Sequence, residues 1–150
     1  MPEDIQGLRL LLDRIQQLEQ DVRSADRALN VAGEIVVTSI HKTFQVEGRP
    51  EHWTPLAPAT LARRRKGKGR GGSKILQDTK RMLGGVHKEV ISEGVKIATS
   101  PLAYAARQNF GYPGGTGPGR SKTPARPYLV VQPEDWIDIR KVFERHIARK

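Results

Sequence analysis

The sequence predicts an α+β fold, in which a long N-terminal helix and a C-terminal helix pack on a small antiparallel sheet with long irregular loops. Three observations predict it: a helical apolar stripe over residues 5–43, an alternating apolar pattern over residues 86–99, and glycine and proline breakers between them. At 150 residues we expect a single domain over residues 1–150. Within it, residues 1–43 form a helical N-terminal region and residues 63–74 a flexible basic loop.

The N-terminal helix is predicted from the absence of proline over residues 5–43, with Gly33 as its weakest point. An ideal helix of this length measures about 55 Å, which exceeds the diameter of a small domain. Part of it must therefore pack on another subunit, or the helix must break near Arg23–Asp26. The stripe fits burial on the protein's own sheet as well, whereas a two-stranded coiled coil is disfavoured by its small Ala25 and Ala32. Its members are Leu8, Leu11, Ile15, Leu18, Val22, Ala25, Leu29, Ala32 and Val36.

The segment after the helix combines loops with short helices. Residues 44–55 are predicted to form a loop that Trp53 anchors in the core. Pro58 suits the first turn of a short helix that reaches about Arg65. Asp78 is predicted to cap a helix over residues 79–83, because its carboxylate can accept hydrogen bonds from exposed backbone amides.

The second half of the chain is predicted to contain the sheet and the last helix. Residues 86–91 and 95–99 form a β-hairpin around Glu93-Gly94, and a short helix follows over residues 101–109. A third strand is expected over residues 128–131. The last helix, over residues 134–150, has a predicted apolar face made of Trp136, Ile139 or Arg140, Phe143 and Ile147.

The net charge of +10 is unevenly distributed. Seven of the 26 basic residues lie within residues 63–74, which hold no acid, and the remaining 19 nearly balance the 16 acidic residues. This run has three interpretations: a solvated loop, a segment that docks on an acidic patch of a neighbouring protein, or a non-specific contact with DNA. It has no aromatic residues for base stacking. The candidate contact residues are Arg63, Arg64, Arg65, Lys66, Lys68, Arg70 and Lys74.

No motif in the sequence has the spacing that catalysis or cofactor binding needs. Residues 67–72 formally match G-x-G-x-x-G, but arginines precede them where a dinucleotide site requires a strand. The four histidines share no metal-ligand spacing, cysteine is absent, and no serine lies in a G-x-S-x-G elbow. We therefore expect no enzyme activity, no cofactor and no metal. The acidic start and the lack of a long apolar run indicate a protein made in the cytoplasm without a membrane anchor.

Four motifs follow one another in a specific order. They are Trp53-x-Pro55-Leu56-x-Pro58-x-Thr60, Leu76-x-Asp78-Thr79, Tyr104-Ala105-x-x-Gln108-x-Phe110-Gly111 and Pro124-Ala125-Arg126-Pro127-Tyr128-Leu129. Together they resemble the phage virion morphogenesis family, the tail-completion proteins of phage Mu-like and related tailed phages. Similar members often have glycine after the threonine of the second motif. This chain has Lys80 there, so a different local turn is expected. Arg126, before Pro127, is expected at a rigid strand entry, where its guanidinium could hold a carboxylate.

The resemblance implies a structural phage protein of the head–tail interface, either a tail completion protein or a tail terminator or neck ring. Such a protein would act by forming a homo-oligomeric ring and docking on the tail tube and the head–tail connector, with packaged DNA as a further non-specific contact. Its place would be the neck or tail of the virion, after assembly in the host cytoplasm. The alternative from another class is a basic DNA-associated accessory protein.

Overall fold

A computed structural model describes residues 3–64, 72–116 and 121–148. In this part of the chain the helices are α1 (Glu3–Gln45), α2 (Pro58–Arg63), α3 (Arg81–Gly84), α4 (Ala105–Phe110) and α5 (Pro133–Ile147). The strands β1 (His87–Ile91) and β2 (Gly94–Ala98) lie between α3 and α4. The α+β fold is confirmed: a long helix stands at each end of the chain, and the sheet between them is antiparallel.

Helix α1 runs without a break for 43 residues, which corresponds to about 65 Å. The alternative of a break near Arg23–Asp26 is therefore wrong. Burial is confined to the C-terminal half of the helix, so the predicted stripe divides into an exposed half and a buried half. The buried apolar side chains of α1 recur every four residues and share one face: Ala28, Ala32, Val36, Ile40 and Phe44.

An aromatic cluster forms the centre of the core. Phe44 packs edge-on against Trp53, with ring centroids 5.6 Å apart, and Tyr128 lies 5.3 Å from Phe44. Trp53 is 5% exposed, which confirms that it anchors the loop after α1. Smaller apolar side chains from α3, α4 and the intervening loops complete the cluster: Ile75, Met82, Val86 and Ala105.

The hairpin has the predicted position, and its register places His87 opposite Ala98 and Ile91 opposite Gly94. It packs on α1, and Gly33 lies at the contact. A methyl group on Gly33 would come within 2.8 Å of the Val95 side chain and 2.9 Å of the Lys88 side chain. The glycine that looked like a weak point of the helix is therefore the place where the helix and the hairpin approach most closely.

The predicted third strand over residues 128–131 is wrong, because the sheet in the described residues has two strands. The backbone N–H groups of Tyr128 and Leu129 donate to Asn109 Oδ1, at 3.0 and 3.2 Å. A side-chain amide thus takes the place that a neighbouring strand would have, and the extended segment does not join the hairpin.

The predicted Asp78 cap is also wrong, because α3 begins at Arg81 and its N-cap position is occupied by Lys80. Lys80 has φ 58° and ψ 9°, a left-handed conformation that delays the start of the helix. This is the conformation that glycine adopts readily, so the backbone angles of Lys80 do not bear out the expectation of a different local turn. Asp78 Oδ1 instead lies 3.9 Å from Arg64 Nε.

Helix α5 runs back along α1 and begins at Pro133, as the proline-acid sequence predicts. The Asp135 carboxylate is buried and accepts a 2.8 Å hydrogen bond from the backbone N–H of Gln132, which fixes the first turn. The predicted apolar face is only partly correct. Ile139 and Phe143 are half-buried, whereas Trp136 is 60% and Ile147 67% exposed. A buried carboxylate in the first turn rotates the helix so that Trp136 points to solvent.

Candidate functional site

Arg126 connects three of the four sequence motifs from a buried position. Its Nε and Nη2 donate to the carbonyl oxygen of Thr54 at 3.1 and 3.0 Å, and Nη2 also reaches the Pro55 carbonyl at 3.3 Å. Its Nη1 donates to Gln108 Oε1 at 3.3 Å. The expectation that Arg126 holds a carboxylate at a strand entry is therefore wrong. Its partners are neutral oxygens, and it lies in an irregular segment. Burial lowers the pKa of the Arg126 guanidinium, and the positive charge of Arg64 adds to this effect.

Two residues outside the predicted set hold the same region together. Asn109, which is buried, receives the hydrogen bonds from residues 128 and 129 described above. Arg49 donates to Thr43 Oγ1 at 3.0 Å and forms a 2.9 Å ion pair with Glu134, so it ties the end of α1 to the start of α5. The sequence could have indicated the role of Arg49, because this residue stands between Gly48 and Pro50, much as Arg126 stands before Pro127.

The turn residues of the motifs have local structural roles. Gly111 ends α4 with φ 78°, and a methyl group there would come within 2.9 Å of the Ala125 backbone nitrogen. Pro58 begins α2. The Pro55 and Pro127 carbonyl oxygens accept hydrogen bonds from Arg126 and from Trp53 Nε1, respectively. These residues position the motifs and do not form a reactive site.

Residues of the second and third motifs line a pocket of about 300 Å³ beside the start of the basic run, which we call the motif pocket. Asp78 and Thr79 from the second motif and Tyr104 and Gln108 from the third are brought together here, although they are up to 30 positions apart in the chain. Arg64 supplies a cation at the same pocket. The remaining lining residues are apolar: Leu76, which also belongs to the second motif, and Met82.

The basic run is only partly within the described residues. Arg64 Nη1 donates to the carbonyl oxygens of Gly72 and Lys74 at 3.0 and 2.9 Å. This side chain therefore links the end of α2 to residues 72–74. Arg63 and Lys74 are exposed, and Lys74 Nζ reaches the Gln45 carbonyl at 3.4 Å. Arg65, Lys66, Lys68 and Arg70 lie outside the described residues, as does most of the loop predicted to be flexible.

The N-terminal half of α1 exposes several large apolar side chains. Six leucine and isoleucine side chains there are between 45% and 72% exposed, and this half of the helix extends past the end of α5. Isolated exposed apolar side chains are common, whereas a contiguous row of them indicates an interaction surface. Five of the six side chains share one face of the helix, whereas Leu10 lies on the opposite side. We call this row of five the leucine arm: Leu8, Leu11, Leu12, Ile15 and Leu18.

Over residues 3–64, 72–116 and 121–148, no group of three or more histidine or acidic side chains is arranged to hold a metal ion. None of the helices in those ranges is long and apolar enough to cross a membrane. The described residues offer three candidate contact surfaces: the leucine arm, the motif pocket and the exposed side of α5.

The phage virion morphogenesis family matches the chain over residues 3–148, from the first turn of α1 to the end of α5. The chain belongs to the phage virion morphogenesis family. This confirms the resemblance seen in the four motifs and gives the chain a structural role in the assembly of a phage virion. The protein is accordingly virion-associated. No curated protein and no solved structure shows a significant match to it.

Proposed function

We propose that the protein is a ring-forming subunit of the head–tail interface, which completes the phage tail by docking on the tail tube and the connector. The observation that carries the proposal is the leucine arm. A helix of 43 residues places only its C-terminal half on the protein's own core and leaves a row of leucines in solvent. Burying such a row in a partner contributes roughly 25 cal/mol for each Å² of apolar surface removed from water.

Charge complementarity supports a second copy of this chain as the partner of the arm. Residues 3–27 hold six acidic and four basic residues, whereas the rest of the chain holds 22 basic and 10 acidic residues. An acidic arm of one subunit is attracted to the basic body of the next. Such a head-to-tail contact uses two different surfaces, and it closes into a ring when the rotation between neighbours divides a full turn.

The test is the size of the assembled species. Sedimentation at micromolar concentration, with the protein alone and with purified tail tubes, should show a ring-sized particle that electron microscopy can image. Ile15→Glu places a charge in the middle of the leucine arm and should abolish the particle. Gln16→Glu adds the same charge one residue away, outside the predicted stripe, and serves as the matched control. A parent protein that stays monomeric and ignores tail tubes and connectors would overturn the proposal.

The competing function is that of a DNA-associated accessory protein, which the basic residues Arg63 and Lys74 favour because both are exposed. DNA binding through phosphate contacts weakens steeply with salt, since each neutralised phosphate releases counterions. Strongly salt-dependent binding to duplex DNA, together with the absence of any ring, would support this function. Rings that form equally well without DNA would support the structural role.

A further inference from the structure

The motif pocket is lined by one cation and one carboxylate, and a second cation lies behind its wall. The Arg64 side chain is only 13% exposed, and its Nε lies 3.9 Å from Asp78 Oδ1. Behind Gln108 lies the buried guanidinium of Arg126, whose contacts in the described residues are neutral oxygens. The pocket and the layer directly behind Gln108 together therefore hold two guanidinium groups and one carboxylate. Because a poorly solvated cation is unfavourable without a counter-charge, this pocket favours the entry of an anion.

The walls of the pocket determine the kind of anion. Leu76 is half-buried, Met82 is buried, and Tyr104 is 40% exposed. These side chains offer apolar surface to an entering group, which a phosphate does not need. A carboxylate that arrives with neighbouring aliphatic side chains satisfies both parts of the pocket, since the aliphatic groups cover the walls while the oxygens approach Arg64.

The leucine arm of the same chain presents such a carboxylate. Glu19 is exposed and lies one helical turn after Ile15, on the same face, with Leu18 beside it. Asp13, by contrast, lies on the opposite side of the helix from Ile15, at 100° per residue. Glu19 is thus an acid within the apolar row. The motif pocket combines the cation of Arg64 with the apolar surface of Leu76 and Met82 and with polar side chains.

We propose that Glu19 of one subunit enters the motif pocket of the next and pairs with Arg64, while Ile15 and Leu18 cover Leu76 and Tyr104. This inference rests on the proposed ring. It specifies that the leucine arm of one subunit meets the motif pocket of the next. It also gives a role to Thr79 and Tyr104, two motif residues that are exposed in the single subunit. In the ring they become part of the joint between neighbours.

A charge-swap experiment tests the contact. Glu19→Arg and Arg64→Glu should each weaken ring assembly at least about tenfold, because each places like charges together. The double variant restores an opposite pair and should recover most of the assembly. Asp13→Arg and Arg63→Glu are matched controls, since they make the same charge changes on the arm and on α2 but outside the proposed contact. Both should assemble like the parent.

Gln108→Glu provides a second test of the contact, in which Arg64 and its hydrogen bonds to the loop are unchanged. The new carboxylate competes with Glu19 for the cations of the pocket, so assembly should weaken although the melting temperature does not fall. Thermal melts of all variants show whether each one is folded. Swapped subunits that melt like the parent but fail to assemble would overturn the contact, as would normal rings from Arg64→Glu. If Arg64→Glu forms rings but no longer docks on tail tubes, the pocket takes an acidic group of a tail protein instead, and the contact is again overturned.

Failure of this contact is distinguishable from failure of the proposed function. If the parent protein forms rings and only the charge swap fails to restore assembly, the proposed ring is supported and the Glu19 contact is overturned. If the parent forms no ring, either alone or with tail tubes, both fall together.

Discussion

The indole Nε1 of Trp53 donates a 3.0 Å hydrogen bond to the carbonyl oxygen of Pro127, 74 residues further along the chain. The same tryptophan packs edge-on against Phe44 at the end of α1. One side chain thus joins the first motif, the last motif and the long helix. Because Arg126, the neighbour of Pro127, returns two hydrogen bonds to the Thr54 carbonyl, the two segments are held at both adjacent positions.

Loss of the Trp53 side chain should destabilise the subunit strongly. Trp53→Ala removes a buried aromatic residue and is expected to cost about 3–5 kcal/mol of unfolding free energy. Urea unfolding followed by circular dichroism measures this change. Trp136→Ala is the control, because Trp136 is 60% exposed and its loss should change stability by no more than about 0.5 kcal/mol. Equal effects from the two variants would contradict the packing described here.

Gly33→Ala should destabilise the subunit even though alanine favours helices. The added methyl group meets Val95 Cγ1 at 2.8 Å, and overpacking of this kind costs about 1–3 kcal/mol. Helix propensity returns about 1 kcal/mol, so a net loss of about 1 kcal/mol is expected. Gly84→Ala, which meets no atom within 4 Å, is the matched control and should be neutral or slightly stabilising. A melting temperature for Gly33→Ala above that of the control would contradict the close contact.

Lys80→Gly should stabilise the turn before α3. Lys80 adopts φ 58°, and a left-handed conformation costs a residue with a Cβ about 1–2 kcal/mol. Glycine relieves this strain but loses more entropy on folding, so the expected gain is up to about 1 kcal/mol. Lys80→Ala removes the same charge and keeps the strain, so it should show no gain. The comparison requires only thermal melts, and a larger gain from alanine would show that charge, not backbone strain, dominates at this position.

Tyr128→Phe should reduce the sensitivity of the subunit to alkaline pH. Burial raises the pKa of the Tyr128 hydroxyl above its ordinary value of about 10. The hydroxyl of Thr99 acts in the opposite direction, but Thr99 Oγ1 and the Tyr128 hydroxyl each lack a partner of standard hydrogen-bond geometry, so burial dominates. The folded state keeps the neutral form, and this contribution to stability is complete below about pH 10 and lost as the pH rises through the raised pKa.

The measurement for Tyr128→Phe is stability against pH. As the pH rises above about 10, the parent should lose more unfolding free energy than the variant. Near neutral pH the two should differ by no more than about 1 kcal/mol, because the hydroxyl that phenylalanine removes is buried without a hydrogen bond. Tyrosines and lysines elsewhere titrate in both proteins, so the difference isolates Tyr128. Identical alkaline profiles would show that this hydroxyl ionises freely.

Local patterns predicted most of the elements, because their causes lie within a few neighbouring residues. The periodicity of α1, the alternation of the hairpin and the proline at the start of α5 all act at short range. Two of the errors came from features that the hydrophobic pattern does not contain: a side-chain acceptor in one case and a left-handed backbone turn in the other. Asn109 accepts the hydrogen bonds that a third strand would otherwise provide, and Lys80 takes the left-handed turn that moves the helix start past Asp78. Neither substitution changes the local pattern of hydrophobic residues.

The sequence by itself determined the helices, the hairpin, the position of the basic run and the family, since each depends on residue order alone. Only the tertiary structure decided which half of the apolar stripe is buried, and that Arg64 and Gln108 line one pocket. The physical reason is that burial depends on contacts between segments far apart in the chain. Leu11 and Val36 have the same helical pattern around them, but only Val36 faces the aromatic core that the loops and α3 and α4 assemble. Leu11 remains exposed because no segment of its own described fold covers it.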